Sequence, residues 1–243
     1  MRVELHFHLL PGVDDGPTSV QESIELATLA LADGTGTVVC TPHVRDVDVL
    51  SVPARVEELR AQLRTAGVPL QLEIGAEVAQ DDVAGMSDAA LEIAAHGPPG
   101  RRWILLEAPL SLDPAGLFDA VAEVRARGYA VLIGHPERCP SLMTGQGGRG
   151  LDELAAAGAP LLQVNGSSLT GRHGEQARRW ALELARAGRV AVIASDAHRP
   201  SRGPVLSAAV AALTSAGFAP ETVELMVAET PCSLLREGIP LFA

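Results

Sequence analysis

Seven short apolar runs, each followed by a helical pattern or a long connection, constrain the fold of this 243-residue chain more than any other feature. The runs are Val3–Phe7, Thr37–Thr41, Leu70–Ile74, Trp103–Leu106, Ala130–Ile133, Leu161–Val164 and Val190–Ala194. Continuous apolar runs are typical of parallel strands that are buried on both faces of a sheet. Strict alternation of strand and helix predicts an α/β protein, either a β/α barrel or a doubly wound sheet.

The length and composition predict one folded domain over residues 1–243. Barrels of this class commonly run to roughly 200–250 residues as a single unit. Hydrophobic residues make up 47% of the chain, which is enough for a sizeable core. Aromatic residues make up only 3%, so alanine, leucine and valine must fill that core.

The charge and the cysteine content exclude some partners and compartments. The formal net charge is -11 and no lysine is present, so the chain lacks the clustered positive charge that nucleic-acid binding needs. Its three cysteines form no CxxC pair, which favours a reducing compartment. No signal-peptide pattern opens the sequence, and no apolar run reaches the ~18 residues of a membrane helix. We therefore expect a cytoplasmic protein that neither binds nucleic acid nor inserts into a membrane.

Polar side chains follow the apolar runs at the point where each predicted strand ends. Six of the seven runs lead into a histidine, aspartate or glutamate, and the remaining run leads into Asn165, which we expect to be a structural hydrogen-bonding residue. The imidazole and carboxylate side chains at these ends are His6, His8, Asp15, His43, Glu77, Glu107, His135, Asp196 and His198. Because the carboxyl ends of barrel strands carry the active site, we expect these nine side chains to converge.

The residue types and their spacing predict a centre of several metal ions. His6 and His8 are two residues apart on a strand, as are Asp196 and His198, so each pair can aim at one ion. Imidazole combined with carboxylate suits zinc, manganese or iron. Nine donors exceed the needs of one tetrahedral ion, so two or three ions bridged by carboxylate are expected. Such ions can deprotonate a bridging water and make hydroxide available at neutral pH.

Arginines placed just after the same strand ends predict binding of a phosphate group. Arg138 lies three residues beyond His135, and Arg202 lies four residues beyond the last predicted donor. Arg45, which follows the second strand, is a weaker candidate. The guanidinium fork binds phosphate through two parallel hydrogen bonds. Metal donors and arginines together predict a metal-dependent phosphoesterase.

Eight segments that contain these residues occur in a fixed order between positions 6 and 198. They are His6-Phe7-His8, Gly12-Val13-Asp14-Asp15-Gly16, Thr41-Pro42-His43, Gly75-Ala76-Glu77, Leu106-Glu107, His135-Pro136-Glu137-Arg138, Gln163-Val164-Asn165 and Ala194-Ser195-Asp196-Ala197-His198. In this order they resemble the PHP (polymerase and histidinol phosphatase) superfamily. Within it they look most like the manganese-dependent bacterial protein-tyrosine phosphatases of the CpsB/CapC type, from capsule and exopolysaccharide gene clusters. Glu4 departs from the pattern, because the family usually has aspartate at that position.

The resemblance implies a distorted seven-stranded β/α (TIM-like) barrel of the PHP type that holds three divalent metal ions per chain. Manganese is the first choice, and zinc and iron are alternatives. By position, the nine residues named above would be the ligands, with Asp15 preferred to Asp14, and Arg138 and Arg202 would bind phosphate. The implied activity is dephosphorylation of protein phosphotyrosine in the regulation of capsular or exopolysaccharide synthesis. Its implied partner is a bacterial tyrosine kinase or a polysaccharide export protein, and no oligomeric state is predicted.

Two other functions stay open on the residues alone. A PHP-type phosphatase can act on a small phosphate ester, such as a histidinol-phosphate-like compound or a nucleotide. A non-catalytic scaffold stabilised by metal would also retain a donor cluster. Two further histidines, His96 and His173, match no motif and are predicted to be surface residues.

Overall fold

The computed structural model of the chain describes residues 1–110, 114–145, 150–159 and 161–241, in which strands alternate with helices. The strands are β1 (Arg2–Phe7), β2 (Thr35–Cys40), β3 (Gln71–Ile74), β4 (Glu77–Ala79), β5 (Trp103–Glu107), β6 (Ala130–Gly134), β7 (Leu161–Asn165) and β8 (Val190–Ala194). The α-helices are α1 (Val20–Ala32), α2 (Val52–Thr65), α3 (Asp88–Ala94), α4 (Ala115–Ala126), α5 (Pro140–Thr144), α6 (Leu151–Ala156), α7 (Gly166–Leu169), α8 (Glu175–Arg186), α9 (Leu206–Ser215), α10 (Pro220–Glu224) and α11 (Thr230–Glu237).

The described strands form two parallel sheets, and the carboxyl ends of their strands lie on the same side of the molecule. The first sheet has the order β1-β2-β3 and the second the order β4-β5-β6-β7-β8. Single parallel bridges join the two sheets at both junctions, from Phe7 to Ala197 and from His43 to Glu77. The predicted α/β class with parallel strands is therefore confirmed. Because the strands all run in one direction, their carboxyl ends meet at the same edge, where polar side chains can converge.

The predicted number of seven strands is wrong, because the described residues contain eight strands in two sheets. The extra strand, β4, is only three residues long and begins with a charged residue, so no apolar run reveals it. The chain leaves the first sheet at Gly75, where an added Cβ atom would lie 2.3 Å from the ring of His96. It pairs again from Glu77, this time against β5. This break at Gly75 separates the two sheets.

Local side-chain chemistry explains where the first helix begins. Ser19 lies at the cap position of α1, and its hydroxyl accepts a hydrogen bond from the Glu22 amide at 3.2 Å. The carboxylate of Glu22 accepts from the Thr18 amide at 2.6 Å. These contacts satisfy amide groups that a helix start leaves without partners. The helix then buries Leu26 and Ala30 against the first sheet.

The last part of the chain folds as short helices in close succession. A π-helical turn, Leu225–Glu229, connects α10 directly to α11. The indole nitrogen of Trp103, at the start of β5, donates to the Leu234 carbonyl at 3.0 Å and so ties α11 to the second sheet. In the described part of the chain, no helix combines the length and the apolar character needed to cross a bilayer.

The prediction that His96 lies at the surface is wrong. Its ring is buried and packs against Trp103 with the ring centroids 4.6 Å apart. Burial, helped by the nearby Arg102 guanidinium, lowers the pKa of His96 to about 3. Burial favours the neutral form of the imidazole, so the ring can occupy an apolar position. Because histidine is classed as polar, its sequence position gives no sign of this burial.

Candidate metal centre

The nine side chains predicted to converge do lie together at the carboxyl ends of the strands. Their donor atoms form four overlapping groups, and within each group the atoms lie within 4.8 Å of one another. The groups are His8, Asp15, His43 and His198; His6, Glu77 and His135; His6, His8 and Asp196; and His43, Glu77 and Glu107. Shared members link the groups, so the nine residues form one continuous donor cluster.

Alternation along β1 and the residue that follows it separates the side chains that face the donor cluster from those that face the core. The pairing of β1 with β2 shifts register between Glu4 and Phe7. Phe7 packs among the apolar side chains of α1 and α2, while His6 and His8 on either side of it belong to the donor cluster. The carboxylate of Glu4 is buried beside the cluster, where it accepts a hydrogen bond from the Ser195 amide at 2.7 Å.

Two candidate donors have strained backbones. His135 and Asp196 are the only described non-glycine residues with a left-handed conformation, at φ values of 37° and 51°. Each such residue costs on the order of 1–3 kcal/mol and persists only where the surrounding fold holds it. Asn165 helps to hold Asp196 in this conformation, because Asn165 Nδ2 donates a hydrogen bond to Asp196 Oδ2 at 2.8 Å. The predicted structural role of Asn165 is therefore confirmed.

Hydrogen bonds at Nδ1 orient three of the imidazole rings. The Nδ1 atom of His6 lies 2.9 Å from the Gln163 amide oxygen, and that of His198 lies 2.9 Å from the backbone oxygen of Asp196. For His8 the acceptor is Asp14 Oδ2, at 2.8 Å. A neutral imidazole that donates from Nδ1 carries its free lone pair on Nε2. The lone pairs of all three rings therefore face the donor cluster, as expected for metal-binding histidines.

The adjacent residues Asp14 and Asp15 have different roles. Asp14 accepts hydrogen bonds from the amides of Gly16 and His43, in addition to the ring of His8, so its oxygens are already engaged. Asp15 lies on the open side, with Oδ1 3.1 Å from His198 Nε2. That contact holds the pKa of Asp15 well below its usual range. The geometry thus places Asp15 among the donors and Asp14 behind them.

The cluster concentrates charge that burial would otherwise disfavour. The fully buried Glu77 carboxylate lies 3.0–3.3 Å from nitrogen atoms of His6, His8, His43 and His135. Burial alone would raise the pKa of Glu77, but His6 and the other histidines outweigh it and hold that pKa well below its usual range. Burial alone would lower the pKa of His6, but Glu77 and Asp196 outweigh it and raise that pKa to about 9. Both shifts have one cause: buried carboxylates are stabilised by positive charge beside them.

Glu107 lies at the edge of the donor cluster. Burial and the neighbouring Glu77 carboxylate raise the pKa of Glu107. Its Oε2 atom lies 3.4 Å from Arg45 Nη2, so Arg45 pairs with a candidate donor instead of lining the cavity above the cluster. A cation bound between Glu77 and Glu107 would relieve their repulsion.

Arg138 and Arg202 line the cavity that opens onto the donor cluster. Arg138 Nη1 lies 3.4 Å from Asp196 Oδ2, and Arg202 Nη1 lies 3.2 Å from Asp15 Oδ2. The Arg138 side chain is 22% exposed and that of Arg202 is 49% exposed, so both can reach a group that enters the cavity. The two arginines lie where the sequence predicted them, at the mouth of the cluster.

A hydrogen-bonded chain beside the cluster was not evident from the sequence. The buried Glu137 Oε1 atom accepts from the Asn165 amide at 3.0 Å and from the Ser168 hydroxyl at 2.6 Å. The same hydroxyl lies 3.0 Å from Nδ1 of His173. His173 is therefore half-buried, contrary to the prediction of a surface residue, and burial together with the Arg138 charge lowers its pKa to about 4. No signal at a strand end marks Ser168 or His173, because both follow β7 in a helix and a turn.

The fold and the site together define a class of protein. It is an α/β protein of parallel strands with a candidate centre for several metal ions at the carboxyl end. Imidazole and carboxylate donors that share members between groups suit divalent cations of the zinc, manganese and iron type. The Nδ1 contacts that aim the imidazole lone pairs inward support the same fit.

Comparison with known proteins identifies the family within this class. The family model described as capsular polysaccharide synthesis, CpsB/CapC, matches residues 2–236, so the chain belongs to the CpsB/CapC family. It is 31% identical over 213 residues to CapC of Staphylococcus aureus, across 84% of this chain and 80% of that protein. It is 30% identical over 211 residues to the tyrosine-protein phosphatase YwqE of Bacillus subtilis (strain 168), across 81% of this chain and 77% of that protein.

A solved structure agrees with this assignment. It belongs to a study of YwqE from Bacillus subtilis and CpsB from Streptococcus pneumoniae, which are described there as metal-dependent tyrosine phosphatases. The match has a TM-score of 0.79 at 26% identity and covers 96% of this chain and 93% of that chain. The resemblance predicted from the ordered motifs is therefore confirmed.

Proposed function

We propose that this protein is a metal-dependent protein-tyrosine phosphatase that acts in the control of capsular or exopolysaccharide synthesis. One observation carries the proposal: nine imidazole and carboxylate donors lie in one cluster below a cavity that Arg138 and Arg202 line. Membership of the CpsB/CapC family and similarity to YwqE, which is named a tyrosine-protein phosphatase, support the choice of substrate.

The nine donors would hold three divalent ions, with manganese as the first choice. Glu77, His6, His8 and His43 each belong to two donor groups, which favours adjacent ions over a single one. When bound, such ions polarise phosphoryl oxygens and make hydroxide available at neutral pH. Burial of the inner donors keeps bulk water from competing for the centre, because His6, His8 and Glu77 are at most 1% exposed.

Residues around the cluster orient the substrate and the donors. Arg138 and Arg202 bind the phosphate oxygens of the substrate and neutralise their charge, since the guanidinium fork matches the phosphate geometry. Gln163 and Asn165 form a hydrogen-bonded chain along one face of β7, with Gln163 Nε2 2.8 Å from Asn165 Oδ1. This chain reaches His6 at one end and Asp196 at the other, and so positions two donors at once.

Further properties belong to the same proposal. The parallel bridges at both junctions support the interpretation of the two sheets as one distorted β/α barrel, and residues 1–243 as one domain. A tyrosine kinase or a polysaccharide export protein that carries phosphotyrosine would be the partner, and the cytoplasm would be the compartment.

The proposal is tested by phosphatase assays on the purified protein. With manganese supplied, it should release phosphate from a phosphotyrosine peptide, and a chelator should stop the release. Phosphotyrosine peptides should be assayed beside histidinol phosphate and nucleoside monophosphates. Comparison of the rates separates phosphotyrosine phosphatase activity from hydrolysis of small phosphate esters. Absence of turnover on every ester under every divalent metal would show that the protein is a scaffold and overturn the proposal.

A further inference from the structure

Leu110 is an exposed apolar side chain at the mouth of a polar cavity. It lies three residues beyond the end of β5, and its side chain is 56% exposed. It lines the same cavity as Arg138 and Arg202. The nine other described residues that line this cavity are all histidines, carboxylates or arginines. Covering a large apolar side chain in such a position with another apolar group removes apolar surface from water and is favourable.

We propose that Leu110 is a specificity-determining residue that packs against the aryl ring of the substrate and so favours aryl over alkyl phosphate monoesters. This inference rests on the proposed phosphatase function, and it assigns the substrate class to a single side chain. No other described residue of the cavity offers an apolar surface to a ring.

The order of groups along the substrate matches the order of side chains along the cavity. The buried donors take the phosphate at the inner end of the cavity, whereas the two arginines and Leu110 border its mouth. In phosphotyrosine the ring separates the ester oxygen from the peptide backbone, so the ring occupies the mouth once the phosphate is held. In phosphoserine a single methylene occupies that space and leaves Leu110 in water. The apolar contact is therefore available to the aryl ester alone.

The direct test compares Leu110→Ala with the wild-type protein on two peptides of one sequence, one with phosphotyrosine and one with phosphoserine. For the phosphotyrosine peptide kcat/KM should fall by about tenfold, the order expected for loss of a small apolar contact. For the phosphoserine peptide kcat/KM should stay within about twofold, a change worth less than a typical neutral hydrogen bond. A Leu110→Phe variant keeps an apolar wall and should retain the preference for phosphotyrosine.

A binding measurement gives a readout besides turnover. The affinity of an uncleaved phosphonate analogue of the phosphotyrosine peptide should fall in Leu110→Ala, whereas that of an alkyl phosphonate peptide should not. Leu225→Ala is the matched control, because Leu225 is 46% exposed and lies with Met1 near the amino end of the strands. Since Leu110 is exposed, its substitution should leave the melting temperature unchanged.

The outcomes distinguish this inference from the function on which it rests. A wild-type protein without phosphatase activity would refute the proposed function. The wild-type protein could instead be active while Leu110→Ala lowers kcat/KM equally for both peptides, or for neither. Either result would overturn the role of Leu110 and leave the proposed function intact.

Discussion

The Nδ1 atom of His8 lies 2.8 Å from Asp14 Oδ2, and this contact decides which nitrogen of His8 faces the donor cluster. Asp14 is itself held by the amides of Gly16 and His43, so the ring of His8 is anchored to two loops at once. Asp14 is therefore a positioning residue behind the cluster, whereas in the sequence only the resemblance gives a reason to prefer its neighbour Asp15 as a donor.

Asp14→Asn should weaken metal binding without removing a ligand. The amide replaces one of the acceptor oxygens with a donor, so His8 loses its fixed tautomer or an amide loses its acceptor. Loss of such a supporting contact typically costs about 10- to 100-fold in metal affinity. Titration with Mn²⁺ and calorimetric detection measures the change. Asp46→Asn, an exposed change in the loop after His43, is the control, and equal affinities for the two variants would contradict the assignment.

Removal of divalent ions should lower the thermal stability of the protein. The donors converge only in the folded chain, so each bound ion stabilises that state by about 2.7 kcal/mol at a free concentration 100 times its Kd. Scanning calorimetry with and without a chelator measures the difference, and added Mn²⁺ should restore the higher melting temperature.

His6→Ala provides the control for that experiment, because His6 belongs to two of the donor groups. Its melting temperature should respond much less to the metal than that of the wild-type protein. The cluster would not be the stabilising site if both proteins shifted by the same amount.

Arg138→Lys and Arg202→Lys should each reduce kcat/KM by about 10- to 100-fold, since a single ammonium replaces a two-pronged, charge-assisted contact. Inorganic phosphate should also inhibit the variants more weakly as a competitor. The effect should be larger for Arg138, because its side chain is less exposed than that of Arg202. Arg45→Lys is the comparison, because Arg45 does not itself line the cavity, although it pairs with Glu107 at the edge of the donor cluster. A larger loss from Arg45→Lys would reverse the assignment.

His96 should make the folded state less stable in acid. The pKa of His96 is lowered to about 3 in the folded protein, against 6.5 for an unperturbed histidine. Between these pH values the unfolded chain binds a proton that the folded chain does not, so stability falls as the pH decreases through this window. The limiting slope for one group is about 1.4 kcal/mol per pH unit.

Denaturant unfolding of the wild-type protein and of His96→Phe at pH 7 and pH 5 measures this contribution. Phenylalanine keeps a ring against Trp103 and removes the titration, so the variant should lose less stability on acidification. Equal losses in the two proteins would exclude His96 as the cause. The same metal-free condition in both arms makes the contribution of the donor cluster equal in the two proteins, so it cancels in the comparison.

The class of fold and the candidate donors follow from patterns in the amino-acid sequence. Apolar runs followed by helical patterns require parallel strands, and a polar residue after each run has to lie at the carboxyl end. That geometry predicts that His6, His43, Glu77 and Asp196 lie at one edge, and all nine predicted donors lie in one cluster.

The contacts that hold the donors, and the neighbours that support them, are visible only in the folded structure. At Gly75, where the chain passes from one sheet to the other, the His96 ring lies so close that a Cβ atom would not fit, a contact between residues 21 positions apart. The roles of Asp14 and Asp15 depend on which loop each carboxylate meets. The chain from Glu137 through Ser168 to His173 likewise depends on packing between elements distant in sequence. Local patterns record the direction and burial of a strand, whereas hydrogen bonds between loops exist only once the strands have brought those loops together.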